Sequence, residues 1–213
     1  KYVKTYCGQP FNLMDTSDSN PYKNLPIGTP NKTTDDTRPS NFQNTYDGQC
    51  HKIIDYCLEI TTAMIYADKG NATDNYRFAG LFGEVEYATL KNIVMVASVP
   101  DDGDGHYSAY VKSAWSKGDQ RAGVGALAGL LFVRREPNLT RQTVAVENCS
   151  VSGYHVEYTG NGGLGYAIGG LAGFSFGNVS NSSAVCNVYG KNTSASVEGR
   201  IGGLIGSMNG QSS

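Results

Sequence analysis

No apolar run in this chain approaches the ~18 residues that a membrane-crossing helix needs; the nearest candidate, 122–133, is interrupted by Gly123, Gly125 and Gly129. Charge is scarce as well, at 17% of residues, and 17 basic against 19 acidic side chains leave a net charge of -2 with no block of either sign. The shortage excludes the basic stripe of a nucleic-acid binder and the polybasic segment of an anionic-membrane binder. No nucleic acid and no membrane insertion is therefore expected. Five cysteines, Cys7, Cys50, Cys57, Cys149 and Cys186, include no pair with zinc-ligand spacing, and the odd number leaves at least one thiol unpaired if the rest are bridged. Strong periodicity is missing from residues 1–45, which hold five of the seven prolines and read as loop with a few short strands.

What the chain does have is glycine, 27 residues of it, with abundant Ser, Thr, Asn and Tyr, a mixture suited to β-strands joined by tight turns. A glycine-punctuated motif recurs four times, as Ala79-Gly80-Leu81-Phe82-Gly83, Gly125-Ala126-Leu127-Ala128-Gly129, Gly169-Gly170-Leu171-Ala172-Gly173 and Gly202-Gly203-Leu204-Ile205-Gly206. A second motif follows the first three copies, centred on Asn92, Asn148 and Asn181. Recurrence of this kind predicts a solenoid, in which each repeat buries its apolar face against its neighbours. The expected fold is all-β, a parallel β-helix (β-solenoid) with projecting insertions. One domain is expected over 1–213, with 1–45 an irregular first coil and 46–213 regular coils. The fourth glycine-rich copy lacks its second half, so the expectation is a fragment of, or one link in, a larger protein or assembly.

Aligning the second motif adds an earlier copy at 53–58 and predicts four columns. They are Ile53, Leu90, Val146 and Val179; Tyr56, Ile93, Cys149 and Ser182; Leu58, Met95, Val151 and Ala184; and Ile60, Ala97, Gly153 and Cys186. Spacing by two puts the last three columns on one face of a strand. Asp55, Asn92, Asn148 and Asn181 fall at a bend and read as a ladder of capping side chains, with Asp55 its irregular first rung. On the glycine-rich strand, Leu81, Leu127, Leu171 and Leu204 are expected inward and Gly83, Gly129, Gly173 and Gly206 at a corner. Residues 100–120, 133–143 and 154–166 are expected to project as insertions.

These motifs together resemble the GLUG motif of bacterial surface and secreted proteins, found in immunoglobulin A peptidases and Bacteroidetes surface proteins. The resemblance extends to Leu25-Pro26-Ile27-Gly28-Thr29, to Phe42 through Ile53, and to 76–93, and it spans about 11–208. It implies a parallel β-helix on the outside of cells or in a secreted protein, and it implies no activity. The family prefers glycine where this chain has Cys50. The His-Glu-x-x-His zinc signature of the peptidases is absent, and with only His51, His106 and His155 no such site can be assembled.

Several groups invite chemistry. Asp101, Asp102 and Asp104 cluster among glycines in an insertion and could hold calcium, against a plain solvated turn; no metal and no cofactor is expected. His51 near Asp47 suggests an acid/base pair, but both fall in the turn motif and a backbone-bonding role is preferred. Tyr107, Tyr110 and Trp115 lie close together and are candidates for a ligand surface, either stacking on a sugar or anchoring a protein, the alternative being that they pack the insertion down. Seven Asn-x-Ser/Thr triplets exceed what composition gives by chance and favour a secreted glycoprotein. Asn31, Asn71, Asn138, Asn178 and Asn192 are the better-placed glycosylation candidates, because Asn148 and Asn181 belong to the ladder. Cys149 and Cys186 are expected as separate inward thiols, while one pair among Cys7, Cys50 and Cys57 could be oxidised.

Acidic residues are scattered and form no repeat-aligned pair such as glycoside hydrolysis needs, so no enzyme is expected. The function expected is an extracellular structural or adhesive β-solenoid that could assemble with itself, end to end, into a filament. The alternative is a carbohydrate- or host-ligand-binding module of a larger secreted protein or enzyme.

Overall fold

β-Branched and aromatic residues that alternate with polar ones favour extended chain. A computed structural model of the protein describes residues 26–28, 42–61, 77–115, 121–133, 143–160, 165–192 and 198–208, and its strands pair in parallel throughout, with no helix among the described residues. Strands numbered in chain order fall into four sheets. The first holds β1 (Thr45–Asp47), β6 (Thr89–Lys91), β11 (Ala145–Glu147) and β15 (Asn178–Ser180). The second holds β2 (Lys52–Ile54), β3 (Cys57–Ile60), β7 (Val94–Val96), β8 (Tyr110–Ser113), β12 (Ser150–Tyr158) and β16 (Ser183–Gly190). The third holds β4 (Phe78–Ala79), β9 (Arg121–Gly125), β13 (Gly165–Gly169) and β17 (Gly199–Gly202). The fourth holds β5 (Phe82–Glu86), β10 (Ala128–Phe132), β14 (Ala172–Ser175) and β18 (Ile205–Met208).

Register decides which side chains share a row. In the first sheet Tyr46, Leu90, Val146 and Val179 are matched, so Tyr46 and not Ile53 leads that row. Ile53 is matched instead with Met95, Val151 and Ala184, and Leu58 with Val111, Val156 and Val188. The expected alignment set Ile53 against Leu90, but Ile53 lies past the turn from Asp47 to Lys52, in the row of Met95, while Leu58 belongs beside β8, which the loop at 97–109 separates from β7. Cys186 is matched with Tyr154 rather than Gly153, since the second sheet carries a bulge between Ser152 and Tyr154, where Gly153 adopts φ 76°.

The bend between the first and second sheets needs a left-handed residue, which explains its asparagines: Asn92, Asn148 and Asn181 have φ of 55°, 54° and 47°. Asn148 Nδ2 donates to Asn92 Oδ1 at 3.3 Å, and Asn92 Nδ2 donates to Asp47 Oδ1 at 3.0 Å. The first rung is therefore Asp47; Asp55, though left-handed itself, accepts from Ser98 and Ser108 instead. In the longer first turn Gln49 and Cys50 both take positive φ, 51° and 60°. Relieving a side chain of that conformation is worth roughly 1 kcal/mol. Cys50→Gly is thus expected to raise the denaturant midpoint with an unchanged slope in equilibrium unfolding.

Leu81, Leu127 and Leu171 are buried, and Leu204 packs against the same core. Their backbones are linked in series, Leu127 N–H donating to Leu171 at 3.0 Å and Leu171 N–H to Leu204 at 2.9 Å. Gly83, Gly129, Gly173 and Gly206 do not form the corner; they lie inside the strands of the fourth sheet, and the bends fall two to three residues earlier. They are small because the third sheet folds back onto the fourth: a Cβ on Gly173 would stand 2.5 Å from Val124 N. A second, smaller core of Phe78, Leu130, Ala167 and Phe174 fills the space between these two sheets.

Candidate functional site

Side chains of the second sheet alternate between the core and the outside. Leu58, Val111 and Val156 point in, while Cys57, Tyr110, His155 and Asn187 share one outward row and Glu59, Lys112, Glu157 and Tyr189 the next. Over these rows lies residues 97–109, the loop between β7 and β8. The segment expected to project, 100–120, does so only in part: Tyr110–Ser113 is strand β8, paired between β3 and β12. Residues 154–158 likewise belong to β12. Of 133–143, residues 134–142 lie outside the described residues.

His155 is the centre of the cluster. Its Nδ1 is 2.7 Å from Asp101 Oδ2 and its Nε2 is 3.1 Å from Glu157 Oε2. Tyr107 stacks on the imidazole with ring centres 4.5 Å apart and planes 5° from parallel. Tyr110 meets Tyr107 edge-on, and Lys112 Nζ stands 4.7 Å from the Tyr107 ring centre, donates to the Tyr107 hydroxyl, and lies 3.8 Å from Glu157. The loop is tied at both ends: Asp55 accepts from Ser98 N at 2.7 Å and from the Ser98 and Ser108 hydroxyls, and Asn187 Nδ2 donates to the Asp101 carbonyl at 3.0 Å.

Electrostatics follow from that geometry. Burial pushes the Asp101 carboxyl up, but the Gly103 N–H and the His155 ring outweigh it and hold the group below its ordinary value. Asp55 is held low in the same way, burial being outweighed by Ser108 and Ser98. Burial lowers Lys112, yet Tyr107 and the carboxylates of Glu157 and Glu59 raise it overall. Burial, reinforced by Cys57, Glu59 and Tyr107, pushes the Tyr110 hydroxyl up to about 12. A carboxyl whose proton binds more weakly in the folded state stabilises that state when ionised. The Asp101 contribution is full above the ordinary Asp range, ~4, and is lost as pH falls through the depressed value. The protection of the Gly103 amide, relative to its intrinsic exchange rate at each pH, is therefore expected to fall on acidification in this window, and Asp101→Asn is expected to remove that pH dependence.

Both ring nitrogens of His155 face carboxylates, an arrangement that fixes the ring and the loop above it. The cluster is built to hold a shaped, partly aromatic surface. Tyr107 and Tyr110 belong to it and are half-buried; Trp115 does not. Trp115 is 1% exposed in the core, where its carbonyl accepts from Tyr158 OH at 2.9 Å, so it cannot present a ring to a ligand. His155, Glu157 and Lys112 were missed in the sequence because 110–113 reads as insertion; its alternation, Tyr110-x-Lys112 beside His155-x-Glu157 and Cys57-x-Glu59, is the signal that would have found them.

Asp101, Asp102 and Asp104 do not converge. Asp101 turns in to His155, Asp102 accepts from Asp104 N at 2.8 Å, and among the described residues no group of three His, Cys, Asp or Glu side chains could hold a metal ion. Asp47 Oδ1 accepts from Gln49 N at 2.9 Å, and the exposed His51 donates its backbone N–H to Gly48. Cys50, Cys57, Cys149 and Cys186 are free thiols, Cys149 buried; Cys7 lies outside the described residues. Asn178 is exposed on β15 and Asn192 is half-buried, while Asn31, Asn71 and Asn138 lie outside the described residues. No family model, curated protein or solved structure matches the chain.

Proposed function

We propose that the chain is a GLUG-type parallel β-solenoid serving outside the cell as a non-catalytic structural or adhesive element. The observation that carries this reading is the strand order: three sheets take their strands in parallel and in sequence order, and in the second the long β12 pairs with both β7 and β8 on one side and with β16 on the other, with Tyr46, Leu90, Val146 and Val179 in one row of the first. Stacked backbone bonds and a continuous apolar interior then supply rigidity, and the loop at 97–109 with the outward rows of the second sheet supplies the recognition face. The family resemblance supports the secreted setting, and the excess of Asn-x-Ser/Thr triplets supports a glycosylated one. Oxidation of Thr45→Cys with Thr89→Cys tests the stacking: adjacent rungs cross-link, whereas Thr45→Cys with Ala145→Cys, two rungs apart at ~10 Å, does not. Cross-linking of the distant pair alone would sink the solenoid.

A carbohydrate-binding module is the second reading, favoured by the Tyr107–His155 platform and by Tyr189, 48% exposed on the same face. Purified chain is to be applied to arrayed glycans and intact cells, with soluble sugar products assayed in parallel. Adhesion without turnover supports the first reading; glycan hits lost in Tyr107→Ala support the second; release of sugar products excludes both in favour of an enzyme.

A further inference from the structure

An aspartate followed directly by glycine is a step at which a backbone rearranges readily, because glycine neither shields its own N–H nor restricts the conformation that ring closure needs. Three such steps occur in the chain, Asp47-Gly48, Asp102-Gly103 and Asp104-Gly105. All three aspartates are exposed, and a Cβ on Gly103 or Gly105 would meet nothing within 4 Å, so access does not separate the last two. Hydrogen bonding does. Gly48 N–H donates to the Lys91 carbonyl at 2.9 Å, while the Asp47 carboxylate accepts from Gln49 N at 2.9 Å and from Asn92 Nδ2 at 3.0 Å and lies 3.3 Å from Lys91 Nζ. Gly103 N–H donates to Asp101 Oδ1 at 2.9 Å, and Asp102 Oδ1 accepts from Asp104 N at 2.8 Å. At the third step both reacting groups are free: the Asp104 carboxyl and the Gly105 N–H have no hydrogen-bond partner among the described residues.

We propose that Asp104-Gly105 is a site of spontaneous backbone modification, at which Asp104 isomerises to isoaspartate in the folded protein. The Gly105 nitrogen attacks Cγ of the protonated Asp104 carboxyl. A C–N bond forms, the Cγ–OH bond breaks, and the hydroxyl leaves with the amide proton as water, giving a five-membered succinimide. Water then adds at either ring carbonyl and reopens the ring to aspartate or isoaspartate, so the mass is unchanged over the two steps and no oxidant or reductant takes part. In isoaspartate the main chain runs through the β-carbon, which lengthens the backbone by one methylene at the tip of the 97–109 loop. The anchors of that loop lie to either side of the tip, Asp101 on His155 and Ser98 and Ser108 on Asp55, and leave residue 104 free to accept the change. The loop offered above for recognition therefore alters as the protein ages; the chemistry itself does not rest on that reading or on the solenoid.

Peptide mapping of the full chain after incubation in neutral buffer at physiological temperature decides it, with electron-transfer fragmentation separating aspartate from isoaspartate at each site. Isoaspartate is expected at 104 in roughly tenfold or greater excess over 47 and 102, where hydrogen bonds of ordinary strength must open before the ring can close. The succinimide, read as a peptide lighter by one water, is expected at 104 in samples held at mildly acidic pH. Glycine follows the aspartate at all three sites, so the same incubation in urea is expected to bring their rates together. Asn161-Gly162 and Asn209-Gly210, which lie outside the described residues, are mapped separately and do not enter the comparison. Neither ring nor isoaspartate at 104, equal conversion at 47 or 102 in the folded chain, or a ranking that urea leaves unchanged would each overturn the proposal.

Discussion

Gly173→Ala is expected to destabilise the protein by about 3 kcal/mol or more, lowering the urea midpoint steeply or leaving no folded baseline. The added methyl would meet Val124 N at 2.5 Å, Gly129 O at 2.7 Å and Gly123 C at 2.8 Å, all backbone atoms of strands that cannot move independently. Separating the third sheet from the fourth to make room would open the Phe78, Leu130, Ala167 and Phe174 core at the same time. The comparison is Gly203→Ala, where an added methyl meets nothing within 4 Å; its effect is expected within ~0.5 kcal/mol. Equal losses at the two positions would remove the close approach of the two sheets as the explanation.

Trp115→Ala is expected to cost about 3–5 kcal/mol by emptying a large core site, which for a chain of this size lowers Tm by roughly 6–20 °C. The side chain packs in the principal core with Tyr158 and Val111. Because the protein has one tryptophan, its fluorescence reads the same site: emission is expected to be blue-shifted in the folded chain and to move red on unfolding. Tyr107→Ala, by contrast, removes a half-buried ring from the outer network and is expected to affect loop order more than global stability. A red emission maximum in the folded chain, or a neutral Trp115→Ala, would place the ring at the surface after all.

The network around His155 is absent from any local pattern because its members come from a loop, two adjacent strands and a third, at Asp101, Lys112, Glu157 and Asn187. Only parallel pairing of β8 with β12 brings Tyr110 beside His155 and Lys112 beside Glu157. The same pairing makes the loop a platform and draws Trp115 into the core.

Local chemistry alone determined the β character, the recurring leucine positions and the left-handed asparagines at the bend, since alternation, glycine spacing and the αL tolerance of Asn act within a few residues. Tertiary structure alone decided that Asp47 and not Asp55 begins the ladder, that glycines lie where two sheets touch, and that Trp115 is buried in the core. Each of these depends on which strand lies beside which, and no pattern within a few residues states that pairing.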